Sequence, residues 1–104
     1  MNKIRRTELA KLMDRLQDIQ PTLSNLKSEV DAIRDEIERI CQEEQDSYDN
    51  LTETLQESER GITMYENVST LEEVSSTLES FYSSIEDFDI DDILSRIDDA
   101  RGQP

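Results

Sequence analysis

The sequence predicts an all-α protein, in which a long antiparallel helical hairpin of coiled-coil type is followed by a short C-terminal helix. Apolar residues recur at intervals of three and four in two long stretches, and the 104 residues include only two glycines and two prolines. This spacing follows the 3.6-residue turn of an α-helix, whereas the side chains of a strand alternate every two residues. We therefore expect one helical domain over residues 1–104.

The first helix is predicted over residues 5–47, where the apolar residues form a heptad stripe. Position a holds Leu9, Leu16, Leu23, Val30 and Ile37, and position d holds Leu12, Ile19, Leu26, Ile33 and Ile40. Pro21 falls at the outward position f, and proline disturbs the helical turn that precedes it. Because the stripe keeps its register across Pro21, we favour one helix kinked near residues 17–21 over two helices joined by a turn.

The stripe nearly disappears over residues 48–60, a polar and acidic connection. Asp49, Asn50 and Thr52 are typical turn and N-cap residues, so we expect the chain to reverse there. A second helix is predicted over residues 61–87 and a third over residues 89–101, with Asp89 as the N-cap of the third helix. The second stripe consists of Met64, Val68, Leu71, Val74, Leu78, Phe81, Ile85 and Phe88.

A homo-oligomer is expected, because a lone two-helix hairpin would leave half of each stripe in water. The simplest assembly is a dimer that forms a four-helix bundle. The side chains expected in its core are Leu16, Ile19, Leu23, Leu26, Val30, Ile33, Ile37, Ile40, Val68, Leu71, Leu78 and Ile85.

Acidic residues dominate the second half of the chain. The protein has 26 acidic and 11 basic residues, a net charge of −15, and no Lys or Arg lies between Arg60 and Arg96. Such asymmetry is typical either of a solvated face or of a partner-binding surface. The candidate partner-binding residues are Glu66, Glu72, Glu73, Glu79, Glu86 and Asp87. A basic protein is the expected partner, whereas direct binding of nucleic acid is not expected, because acidic side chains repel phosphate.

The residues of common active sites are scarce, so we expect neither an enzyme nor a bound cofactor. The chain has no histidine and one cysteine, Cys41, whose acidic neighbours Glu43 and Glu44 would oppose thiolate formation. The acids of residues 87–98 have partly the spacing of a calcium loop, but Asp92 stands where that loop needs glycine, and we expect no metal. The charged N-terminus and the lack of a long apolar run predict a cytoplasmic protein without membrane contact.

The centre of the chain, EEQDSYDNLTETLQESERG over residues 43–61, resembles a group of short uncharacterised proteins of bacteriophages and integrated elements of Gram-positive bacteria. The likeness continues into the acidic stretch MYENVSTLEEVSSTLES, and Thr52 stands where the group has proline. This resemblance implies a phage origin and a helical hairpin, and it carries no active site. A weaker likeness links Tyr82-Ser-Ser-Ile-Glu86 to the Tyr-x-x-x-Glu signal of type VII secretion substrates, but the Trp-x-Gly turn of that family is missing.

Two functions of different classes are therefore expected. The first is an acidic protein-binding module, in its sharpest form a phage-encoded inhibitor that mimics DNA and blocks a host nucleic-acid-binding or defence protein. The second is a structural coiled-coil subunit of an assembly or scaffold, in which the acidic residues only keep the surface hydrated. A hairpin of the type VII secretion class is a weaker alternative.

Overall fold

The computed structural model describes residues 1–102, which form five helices and no strand. These are α1 (Lys3–Gln17), α2 (Ile19–Asp49), α3 (Glu53–Gln56), α4 (Glu59–Asp87) and α5 (Ile90–Gly102). The prediction of an all-α protein is thus confirmed, as are the two long helical stretches and the short C-terminal helix. Where the sequence predicts one domain, the contacts divide the chain into two compact units. The central unit is Ser28–Ser83, and the terminal unit combines Met1–Lys27 with the described residues from Ser84 onward.

The first helical stretch is interrupted at Asp18, three residues before Pro21. α1 ends at Gln17, and the backbone N–H of Asp18 donates to the carbonyl oxygens of Asp14 and Leu16. A proline ring clashes with the carbonyl four residues earlier, and for Pro21 that residue is Gln17. The missing N–H of Pro21 then falls in the first turn of α2, where no helical partner exists for it. The chain therefore forms two helical segments that meet at a single turn residue.

In the central unit, α2 and α4 pack antiparallel to each other. The Cys41 thiol donates to the carbonyl oxygen of Val68 at 3.6 Å, and the Ser75 hydroxyl donates to Glu38 at 3.1 Å. Residues later in α4 therefore contact residues earlier in α2, as in any antiparallel pair of helices. Val30 and Val68, each 5% exposed, are the most buried apolar side chains between these helices. The predicted reversal of the chain is observed here.

The connection between the two helices contains a helix of its own. Thr52 is the N-cap of α3, and its hydroxyl accepts a hydrogen bond from the Leu55 N–H at 3.3 Å. Gly61, in the first turns of α4, is buried against the end of α3. A Cβ atom on Gly61 would lie 2.3 Å from the Gln56 carbonyl oxygen and 2.5 Å from that of Leu55. The tight connection therefore requires glycine at position 61.

In the terminal unit, α5 packs against α1. Ile90 and Leu94, 4% and 9% exposed, are buried on the inner side of α5. The Asp89 carboxylate accepts a hydrogen bond from the Asp92 N–H at 3.0 Å, as expected of an N-cap residue. At the other end of α5, the guanidinium of Arg101 donates to the Met13 sulfur at 3.5 Å.

Acidic residues lie in the last turn of α4 and in the first turn of α5, where the helix dipoles have opposite signs. The last turn of α4 contains Glu86 and Asp87 and no basic residue, whereas the first turn of α5 contains Asp91 and Asp92. The helix dipole is negative at a C-terminus and positive at an N-terminus. Negative charge is therefore unfavourable at the end of α4 and favourable at the start of α5.

Candidate functional site

A groove with acidic walls, here called the acidic groove, lies between α2 and α4 in the central unit. Its volume is about 480 Å³. Three carboxylates line it, and no Lys or Arg is among its described lining residues. The lining is Glu38, Cys41, Gln42, Gln45, Val68, Leu71, Glu72, Ser75, Ser76 and Glu79.

The heptad repeat of α4 places two of the three groove acids on the same side of that helix. Glu72 and Glu79 are seven residues apart, so they lie on the same side of α4, about 10 Å from each other along the axis. Glu66 and Glu73, also seven apart, form a second exposed line that is turned away from the groove. Of the six predicted partner-binding residues, the structure therefore brings only Glu72 and Glu79 into this groove.

Glu38 is the groove acid that the sequence-based prediction missed, and it differs from Glu72 and Glu79 in its charge balance. It accepts a hydrogen bond from Ser75, and its carboxylate lies 4.0 Å from the Nε atom of Arg34. Arg34 also pairs with Asp31 at 2.7 Å, and its guanidinium lies 6.0 Å from the ring centre of Tyr82. The charge of Glu38 is thus partly balanced within the chain.

Glu72 and Glu79 have no such balance. Both side chains are exposed, and no ion pair within residues 1–102 includes either of them. The nearest basic residues along the chain are Arg60 and Arg96. The negative potential of the groove therefore comes mainly from Glu72 and Glu79.

Cys41 lies in the wall of the acidic groove and is half-buried. Burial raises the pKa of its thiol, and the negative charges of Glu72 and Glu38 raise it further. The sequence neighbours Glu43 and Glu44 were predicted to have this effect, but the acids responsible come from α4 and from one turn earlier on α2. Because the thiolate is the nucleophilic form, this environment favours an unreactive thiol.

Glu86 and Asp87 lie in the terminal unit. Glu86 lines a separate cavity of about 220 Å³ together with Lys27, Asp89 and Asp91, whereas Asp87 is exposed and does not line that cavity. Within residues 1–102, no group of three or more His, Cys, Asp or Glu side chains is placed to hold a metal ion.

The side of the hairpin opposite the acidic groove is apolar. This apolar face consists of Ile33, Ile40, Val74 and Phe81, which are 44%, 42%, 38% and 44% exposed. Ile40 lies two residues from the groove residues Glu38 and Gln42, and Val74 lies two residues from Glu72 and Ser76. Two residues correspond to about 200° around a helix, so these side chains point away from the groove. Phe81 is seven residues after Val74, and Ile33 is seven residues before Ile40, so both lie on the same side as these residues.

The predicted oligomer-core residues fall into three groups in the single chain. Val30 and Val68 are buried; Leu16, Leu23, Ile37, Leu71, Leu78 and Ile85 are half-buried; and Ile19, Leu26, Ile33 and Ile40 are exposed. The exposed group consists entirely of position d residues of the first stripe. The position a residues of the first stripe thus pack inside the hairpin, whereas the position d residues are exposed.

Comparison of the chain with protein-family models, with curated proteins and with solved structures found no match. Within the part of the chain that the structure describes, no helix has both the length and the apolar character needed to cross a membrane.

Proposed function

We propose that the protein is a non-enzymatic protein-binding module whose acidic groove binds a basic surface of a partner protein. One observation carries the proposal: Glu72 and Glu79 are exposed, lie on the same side of α4, and have no ion-pair partner within residues 1–102. A folded helix holds these charges at a fixed spacing, so a partner need not order them on binding. The complementary surface would carry Lys and Arg at a similar spacing.

The sharpest form of this proposal is a DNA mimic. Glu72 and Glu79 hold negative charge at a fixed spacing of about 10 Å, and nucleic-acid-binding proteins recognise the negative phosphate backbone largely through Lys and Arg. The target would be a nucleic-acid-binding or defence protein in the cytoplasm of the host bacterium, and the protein would be a phage-encoded inhibitor. The phage origin is inferred from the resemblance of residues 43–61 and of the acidic stretch that follows them.

The test compares two double charge reversals that change the net charge equally. Glu72→Lys with Glu79→Lys alters the acidic groove, whereas Glu29→Lys with Glu57→Lys alters exposed acids outside it. After capture of a partner from bacterial lysate, its affinity for each purified variant is measured by calorimetry. We expect the groove variant to bind roughly tenfold or more weakly, because two attractions become repulsions, and the control to bind almost normally.

Salt and DNA provide the second part of the test. Binding through exposed charges should weaken as the salt concentration rises, because the screening length falls from ~10 Å at 0.1 M to ~3 Å at 1 M ionic strength. Double-stranded DNA should compete for the partner. A partner that resists molar salt, tolerates the groove reversals and ignores DNA would refute the proposal and favour the structural scaffold instead.

A further inference from the structure

We infer that a second copy of this chain covers the apolar face, so that two central units pack against each other through Ile33, Ile40, Val74 and Phe81. This inference does not rest on the proposed function, because the apolar face and the acidic groove lie on opposite sides of the hairpin. Each copy of the dimer would keep its groove open to a partner.

The exposed surface of the chain is larger than that of a typical folded monomer. It amounts to 7731 Å² for a chain of 12.1 kDa, whereas a folded monomer of that mass exposes ~6,000 Å². A stable interface of standard size covers ~800 Å² on each partner. The excess of exposed surface over the whole chain is therefore larger than the area that one such interface covers. A second copy of the chain exposes the same surface and can cover an area of this size.

The pattern of the apolar face suits a copy of itself. Ile33 and Ile40 on α2 are seven residues apart, and so are Val74 and Phe81 on α4. A two-fold axis can place Ile33 and Ile40 of one copy against Val74 and Phe81 of the other. The apolar side chains of both helices repeat every ~10 Å. Equal repeats let the side chains interdigitate as in a four-helix bundle.

The charges beside the apolar face also favour a second copy over a basic partner. Glu36 and Glu43 flank Ile40 on α2, four residues before it and three after it. Arg39 pairs with both, at 2.8 Å to Glu36 and 2.9 Å to Glu43. Arg39 thus offsets part of the negative charge at this margin, so the margin opposes the approach of two copies less than Glu72 and Glu79 would, since those two have no ion-pair partner within residues 1–102.

The first experiment measures the mass by light scattering at micromolar concentration. Twice the chain mass of 12.1 kDa is expected for the unmodified protein. Ile33→Glu places a charge in the apolar face and should weaken the dimer at least about a hundredfold, whereas Gln42→Glu adds the same charge on the groove side and should leave it intact. A monomer for the unmodified protein, or a dimer that Ile33→Glu leaves unchanged, would overturn the inference.

The second experiment does not depend on disrupting the dimer. A photoreactive p-benzoyl-phenylalanine is introduced in place of Phe81 and, separately, in place of Tyr65, an aromatic residue that is 61% exposed on the groove side. Tyr65 lies one heptad before Glu72, so it is the matched control. Irradiation should yield a covalent dimer from position 81 and little from position 65. An equal or reversed yield would overturn the inference, even if Ile33→Glu failed to fold.

Discussion

Replacing Gly61 by alanine should destabilise the protein, although alanine is the better helix former. In a helix interior, Gly→Ala is normally favourable by ~1 kcal/mol. Here the new Cβ would lie 2.3 Å from the Gln56 carbonyl oxygen and 2.5 Å from the Leu55 carbonyl oxygen. Both are backbone atoms, so α3 must move away from α4 to accept the methyl group. Overpacking of this kind typically costs 1–3 kcal/mol, and contacts this short place Gly61→Ala near ~3 kcal/mol.

The expected net effect of Gly61→Ala is thus a loss of about 2 kcal/mol, or roughly 8–16 °C in melting temperature for a domain of this size. The measurement is thermal unfolding followed by circular dichroism at a fixed chain concentration. Gly102→Ala is the matched control, because a Cβ at that position in α5 meets no atom within 4 Å. That control should be neutral or slightly stabilising. If Gly61→Ala melts at or above the temperature of the unmodified protein, the close approach of α3 to α4 is wrong.

Three further predictions concern the central unit. Val30→Ala should lower the free energy of unfolding in urea by about 1–3 kcal/mol, because it leaves a cavity at a side chain that is 5% exposed; an unchanged value would contradict the burial of the position a line. Thr52→Ala should cost about 0.5–2 kcal/mol by removing the N-cap of α3, and Thr52→Ser should restore most of it; a serine variant as weak as alanine would argue against the cap. Because the pKa of Cys41 is raised, its alkylation near neutral pH should be slower than that of a free cysteine, and Glu72→Gln should lower the pKa and increase the rate. A rate that does not respond to Glu72→Gln would place that carboxylate away from the thiol.

The sequence was sufficient to predict the helices, because their periodic apolar residues directly report a 3.6-residue turn. It was not sufficient to predict which apolar line the hairpin uses. Position a and position d of the first stripe are equally apolar, so either could face the second helix. Which of the two positions faces the second helix depends on the neighbouring residues that pack with it. Arg34 and Cys41 lie beside position a and also contact α4. Arg34 carries no hydrophobic signal, and a single small residue such as Cys41 does not reveal a second apolar line.

The location of the helix break could be predicted from the local pattern, whereas that of the groove could not. The break at Asp18 lies within residues 17–21, where Pro21 predicted a disturbance, because the clash of a proline ring acts on the preceding turn. The acids of α4 were visible as a charge excess, whereas the contribution of Glu38 was not. Glu38 joins the groove only because the antiparallel packing places it beside Ser75. Spacing along one helix cannot reveal a neighbour on another.

The acidic residues at the end of α4 and at the start of α5 affect how readily each helix end unfolds locally. At the end of α4, Glu86 and Asp87 face the negative pole of the helix and the last turn holds no basic residue, so each costs about 0.3–1 kcal/mol there. At the start of α5, the Asp89 cap and the acids after it contribute with the opposite sign. Backbone amides in the last turn of α4 should therefore exchange with solvent deuterium faster than those in the second turn of α5. The junction of α4 and α5 should fray from one side only, with α5 keeping its first turn while α4 loses its last.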